Sequence, residues 1–326
     1  VPERPSTGEL SMVIAEYPHT GALIREPVRT PSGLLLRHVP VHPIVDAYRR
    51  MVRGLEFDIC ELAISTYLIA REHSVPVTAL PIPLNRRFHH GDVVCRAGRG
   101  IRCAADLAGR RVGVRAYSVT SGMWVRGLLR EYGLDDAGVT WVVDDEEHVR
   151  ELRLPGNVVS APDGRSLADL FASGDIDAAM TGWAGIGRTG AAAGGWAETD
   201  SSREDAYQLF ADPAAEERAW FERTGIYPIH GVLVVHDETL RAHPRLAEEL
   251  WALFGNSRAD LMSEIASGST DPEVQRYREL MGVVGDDPLP YGLAANEVSV
   301  EAAIRFCRDQ GLLTRSPSPA QIFHPV

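Results

Sequence analysis

The sequence predicts an α/β chain of two domains, the second inserted into the first. Short β-branched runs alternate with stretches whose apolar residues recur at three and four, the mark of strands joined by helices in a mainly parallel sheet. That alternation occurs twice, from Leu10 to His73 and again from Ile101 to Thr181. Two apolar segments with prolines, Val77–Arg96 and Gly225–Val235, read as the crossings out of the first domain and back. The expected boundaries are 1–84 and 230–326 for a discontinuous first domain and 85–229 for the inserted second. Two crossings around a central cleft make a cleft that closes by hinge motion.

The first strand, Leu10–Ala15, runs into Tyr17-Pro18-His19-Thr20-Gly21 and a brief helix. Leu34–Val39 is the second strand, followed past Pro43 by the helix Ile44–Gly54. Phe57–Leu62 is the third, with Ser65-Thr66-Tyr67 opening the next helix. Ligands of such sheets meet the carboxyl ends of strands, here Tyr17–Thr20, His42 and Glu61–Tyr67.

In the second domain Arg111–Val114 is a strand, and helical spacing begins at Gly122 and stops at Gly133. A strand feeding directly into a helix leaves the first N–H groups unpaired, and Thr120 and Ser121 add hydroxyls there. The junction suits a carboxylate or phosphate; the alternative is a plain turn with Ser or Thr as N-cap. A strand over Val139–Val143, a helix over Ser166–Gly174 capped by Ser166, and a strand over Ile176–Thr181 follow. Gly185–Ser202, rich in glycine and alanine, is a loop, either a mobile lid or a connector without function. Helices are expected over Pro213–Arg223, Pro244–Leu261, Pro272–Met281 and Val298–Gly311.

Composition removes several function classes. The 326 residues are 44% apolar and 24% charged, as in a soluble globular protein, and no apolar run approaches the length of a membrane span. A net charge of −12 argues against nucleic acid as partner. All 33 basic residues are arginine. Without lysine there is no Schiff base with a carbonyl substrate, no lysine-anchored pyridoxal phosphate and no P-loop. No GxGxxG follows the first strand. Cys60, Cys95, Cys103 and Cys307 fit no zinc spacing, and Cys60 and Cys95 lie in apolar runs where thiols are buried. The start, Val1-Pro2-Glu3-Arg4, lacks the basic and apolar regions of a signal peptide, so a cytoplasmic location is expected.

With these pieces placed, the chain resembles the 4,5-dihydroxyphthalate decarboxylase family over almost its whole length. The matching stretches are Arg53–Leu62 with Ser65 and Tyr67, then Arg111–Val114 with Tyr117, Thr120 and Trp124–Gly127. Thr224–Ile229, Pro290-Tyr291-Gly292 with Asn296, and Gln310-Gly311-Leu312 with Phe323 and Pro325 complete the match. The resemblance implies the fold of type II periplasmic solute-binding proteins in a soluble enzyme, a carboxy-lyase working as a homo-oligomer. The chain departs from the family where Tyr-Asp-Arg-Thr becomes Tyr17-Pro18-His19-Thr20 and Pro-Glu-Tyr-Gln becomes Arg115-Ala116-Tyr117-Ser118. It departs again at Thr181-Gly182-Trp183, in place of Thr-Ala-Arg, and at His230, one position before the family's histidine.

Loss of carbon dioxide from an aromatic acid needs a proton donor near the ring carbon, a group holding a ring hydroxyl, and a desolvated place for the carboxylate. Histidine suits the first and arginine the last. The expected catalytic residues are His230, His90 and His19, which lie at strand ends and crossings; the alternative for each is a structural histidine. Arg86 and the Thr120/Ser121 helix start are expected to hold the anion. Glu61 is either an acceptor for a substrate hydroxyl or the buried partner of an arginine. Ser65, Thr66, Tyr67, Tyr117, Ser118, Thr181, Trp183 and Tyr291 complete the expected substrate-binding set. Arg126 either contributes to the site or pairs with an acid. No cofactor is expected, and no metal, because no histidine pair stands at helical i, i+4 spacing; the alternative is a metal on which His19, His90, His230 and Glu61 converge as N/O ligands. The expected activity is decarboxylation of a hydroxylated aromatic or related unsaturated acid. The alternatives are a solute-binding protein for a small carboxylate and a dehydratase-like lyase.

Overall fold

A computed structural model describes residues 8–189, 197–198 and 205–326. The chain divides into two units. Val1–Arg86, Ile229–Glu301 and Pro317–Val326 form the first, and Arg87–Pro228 with Ala302–Ser316 the second. From sequence, 302–316 goes with the first unit; it belongs to the second. The reason is packing: Phe306 meets the Trp124 ring edge-on at 5.7 Å, and a Cβ on Gly127 would run into the Phe306 ring.

The first unit is built on a six-stranded sheet in the order Val28–Arg29, Leu35–His38, Glu9–Val13, Ile59–Ala63, Ile229–His236, Val77–Arg86. Glu9–Val13 runs parallel to both its neighbours. Ile229–His236 is antiparallel to both of its own, so the returning segment breaks the parallel pattern. Ile59–Ala63 is buried at every position, which is why it reads as a nearly continuous apolar run rather than an alternating one. Glu61 is the exception in that run. The core against the sheet is aliphatic, with Met12, Ile59, Leu80, Leu84, Leu233, Val235 and Leu250 among its members. Phe254, from the helix Leu246–Ser267, closes it.

The second unit has its own six-stranded sheet, in the order Ala206–Gln208, Val93–Arg96, Ala178–Met180, Arg111–Gly113, Thr140–Val143, Val158–Ser160. Its last four strands are parallel, and Val93–Arg96 is antiparallel to both its neighbours. Gly113 is required by close packing, since a Cβ there would come within 2.8 Å of Ile176 and 3.0 Å of Leu167. Ser166 caps the helix Leu167–Ser173 in a reciprocal box with Asp169. The edge strands Val158–Ser160 and Ala206–Gln208 escape sequence analysis because three partly exposed residues are too few to display a period of two. Of the Gly185–Ser202 loop, Arg188–Thr189 pairs with Ala197–Glu198; residues 190–196 and 199–202 lie outside the described residues.

Cys60, Cys95 and Cys307 are buried and Cys103 is exposed. Among the described residues no helix is long and apolar enough to cross a membrane.

Candidate functional site

In the first unit the polar residues gather at the carboxyl end of Ile59–Ala63. Glu61 is fully buried and accepts three hydrogen bonds: from the Ala15 N–H at 3.0 Å, the Tyr17 hydroxyl at 2.8 Å and the Tyr48 hydroxyl at 3.4 Å. It is therefore held by phenols and a backbone amide, not by the arginine that one reading of the sequence supplied. Burial pushes its carboxyl up, against these three bonds. Burial and the neighbouring Glu61 likewise hold the Tyr17 and Tyr48 phenols well above their ordinary value.

His19 reaches this carboxyl group only through Tyr17. Its ring stacks parallel to Tyr17 at 5.5 Å and meets Tyr277 edge-on at 6.3 Å. Burial, followed by the field of Arg258, lowers its pKa to about 3, so the imidazole is neutral. Arg258 is anchored by Asp287 and donates to the Leu289 carbonyl at 2.7 Å, with its guanidinium 5.4 Å from the centre of the Tyr291 ring. Asn85 reaches the Tyr17 phenol, which in turn donates to Glu61.

Tyr67 and Arg86, also expected in the site, hydrogen-bond within this unit. Tyr67 is buried and its hydroxyl donates to the Ile322 carbonyl. Arg86 is buried and donates to Asn296 Oδ1 at 2.6 Å and Ser299 Oγ at 3.2 Å. Ser65 and Thr66 are buried in the first turn of the helix Ile64–Glu72, whose N-cap is Ala63; neither is the cap. His230 is half-buried at a slip in register, where Ile229 pairs with Arg86 and Gly231 with Asn85.

In the second unit the helix Thr120–Glu131 follows the strand Arg111–Gly113 with Val119 as N-cap and no side-chain cap, so Thr120 and Ser121 are first-turn residues. Both are buried. Arg87 donates to Ser121 Oγ at 3.2 Å and to Asp92 Oδ1 at 2.7 Å. The preceding loop already holds an internal carboxylate: Glu147 accepts from the N–H groups of Tyr117 at 2.7 Å and Ser118 at 3.0 Å. Tyr117 is buried beneath it, with its hydroxyl donating to the Gln310 carbonyl at 3.2 Å and Arg126 stacked on its ring at 3.8 Å.

Arg126 itself donates to Gln310 Oε1 at 2.8 Å and to the Tyr117 carbonyl at 2.6 Å. Among the described residues no carboxylate pairs with it, and burial lowers its pKa. The Thr181 N–H donates to the Asp92 carbonyl at 2.9 Å, and Trp183 is half-buried on the turn that follows.

His90 sits in an aromatic box, with Phe210 at 5.3 Å, Trp220 at 5.5 Å and Tyr132 at 5.9 Å. Burial lowers its pKa to about 4. The adjacent His89 bonds Asp92 through Nδ1 at 2.8 Å, and burial with the Arg87 charge brings it to about 4. Glu217, absent from the sequence-based candidates, is raised to about 7 by burial and by the Asp92 charge.

Sequence reasoning also missed Tyr48, Asn85, Arg258 and Tyr277 around Glu61 and His19. Arg258 and Tyr277 lie on ordinary amphipathic helices, and no local signal marks which polar residue of such a helix turns inward. Among the described residues no group of three or more His, Cys, Asp or Glu side chains could hold a metal ion.

No family model matches the chain. Over 295 residues it is 32% identical to 4,5-dihydroxyphthalate decarboxylase of Comamonas testosteroni, covering 86% of each chain. The chain belongs to that family. The Pseudomonas putida 4,5-dihydroxyphthalate decarboxylase is 37% identical over 144 residues, 41% of this chain and 56% of that one. Two solved structures show the fold shared by this family member. The periplasmic aliphatic sulphonate-binding protein SsuA of Escherichia coli superposes with a TM-score of 0.52 at 12% identity, over 98% of this chain and 93% of that one. A periplasmic sulfonate-binding SsuA of Methylobacillus flagellatus gives 0.53 at 13% identity, over 97% and 91%. The chain thus has the two-domain fold of type II periplasmic binding proteins.

Proposed function

We propose that the protein is a carboxy-lyase that removes carbon dioxide from a hydroxylated aromatic or related unsaturated carboxylic acid without a cofactor. The observation that supports this is the match to a dihydroxyphthalate decarboxylase over 86% of both chains.

Direct loss of carbon dioxide would leave an aryl anion. Protonating the ring carbon first avoids that anion, because an ortho or para hydroxyl oxygen shares the positive charge of the protonated ring or, if ionised, becomes a ketone. The bond to the carboxylate then breaks, its electron pair restores the ring, and carbon dioxide leaves. One proton is consumed for each carbon dioxide released. The proton comes from His19 or His230, charged by a proton taken up with the acid, and Glu61 with Tyr17 receives the ring hydroxyl.

The test is incubation with a panel of ortho- and para-hydroxylated aromatic acids, 4,5-dihydroxyphthalate among them, following carbon dioxide release and product mass. Loss of carbon dioxide from one or more members is expected. Silence across the panel, or a product formed by loss of water, overturns the reading.

A further inference from the structure

We propose that His19, with Asn85, Arg258 and Tyr291, forms a carboxylate-receiving site that takes up a proton as an aromatic acid binds. The inference rests on the reading of the protein as acting on such an acid, and it says which histidine meets the acid group.

The His19 ring is fully buried, yet neither of its nitrogens has a hydrogen-bond partner among the described residues. Burying such an atom without a partner is costly. The residue is not loosely placed. Ser257 Oγ donates to its carbonyl at 2.6 Å, and the rings of Tyr17 and Tyr277 fix its plane. The Tyr291 hydroxyl and Asn85 Oδ1 are also buried without partners, although Asn85 reaches Tyr17 and Tyr291 packs on Trp251 at 6.1 Å. Unused donors and unused acceptors thus accompany a ring that offers one of each.

The groups facing His19 from every packed element decide which ligand fits. Tyr17 is on its own segment and leads through its hydroxyl to Glu61. Tyr277 comes from the helix Pro272–Val284, and Arg258, balanced by Asp287, from Leu246–Ser267. No facing anion would hold an imidazolium in the empty site, and burial with Arg258 keeps the ring neutral. An isolated carboxylate buried here would be as costly as an isolated imidazolium. A carboxylate and a proton entering together form a hydrogen-bonded pair and leave the site's charge unchanged. His19 and the Tyr291 hydroxyl then donate to the acid, Asn85 Oδ1 accepts a ring hydroxyl, and the tyrosine rings flank the aromatic body.

Benzoate separates this from turnover, because it has the carboxylate but no ring hydroxyl to activate decarboxylation. Calorimetry in buffers of different ionisation enthalpy should show uptake of about one proton per benzoate at pH 7, with affinity weakening by up to about tenfold per pH unit above that. Tyr291→Phe, which deletes only an unpartnered hydroxyl, should weaken binding about tenfold with proton uptake retained. His19→Gln should weaken binding at least as much and abolish the uptake. No benzoate binding at millimolar concentration, binding without proton exchange, or full affinity in both variants overturns the proposal. If His19→Gln does not fold, the wild-type proton count and Tyr291→Phe decide. Proton-coupled benzoate binding without carbon dioxide release from any hydroxylated acid upholds the site and removes the reaction. Turnover by His19→Gln with unchanged KM removes the site alone.

Discussion

Gly231 lies opposite Ala63 across the antiparallel pair of central strands, and a Cβ on it would strike the Glu61 carboxylate. The missing side chain is what gives that carboxylate room to accept from Tyr17 and Tyr48. Gly231→Ala should therefore displace Glu61 and destabilise the protein by about 1–3 kcal/mol, seen as a lower urea midpoint. Glu61→Gln keeps the shape and an acceptor for Tyr17, so its loss of stability should be smaller. An alanine variant as stable as the wild type would show that the carboxylate moves freely.

Acid should unfold the protein earlier than its carboxylates alone require. His19 is held at about 3, and His89 and His90 at about 4, against an ordinary 6.5. Between pH 6.5 and 4 the unfolded chain binds these protons and the folded chain does not, so stability is full above pH 6.5 and falls as pH drops. The slope approaches about 1.4 kcal/mol per pH unit for each group. Urea midpoints at pH 8, 6 and 5 measure it, and a flat profile would contradict the neutral state of these rings.

Gly127 and Phe306 should behave as one unit. Gly127→Ala places a methyl group against the Phe306 ring and should cost about 1–3 kcal/mol; Phe306→Leu added to it should recover part of that loss. Additive effects in the double-mutant cycle would show that the helix shifts to accommodate the methyl group.

Glu217 should titrate near pH 7 in carbon-detected NMR. Burial is the larger cause and the Asp92 charge the second, so Asp92→Asn should lower the midpoint without returning it to an ordinary glutamate value. No change in that variant would mean that Asp92 does not reach Glu217 electrostatically.

Much of the fold is legible in the sequence because its signals are local. Ser166 announces a helix and caps it, and the β-branched runs at Ile59 and Arg111 become strands. The candidate site is less legible because its partners are distant in sequence. Nothing near Tyr117 shows that Glu147 will occupy its N–H group, or that Gln310 rather than an acid will receive Arg126. His19 reads as a strand-end residue, but the residues that make its surroundings unusual, Arg258 and Tyr277, arrive on helices whose apolar spacing is ordinary. The register slip at His230 depends on which strand lies beside it, and that pairing has no signature in the chain.

The four cysteines form a built-in clock for opening. Burial raises the Cys60 thiol well above its ordinary value and takes Cys95 and Cys307 to about 12, whereas Cys103 is exposed. A thiol-specific dye should therefore react with one sulfur at once and with three only as the structure opens. Cys60 belongs to the first unit and Cys95 and Cys307 to the second, so peptide mapping of the slow phases would time the unfastening of each unit separately.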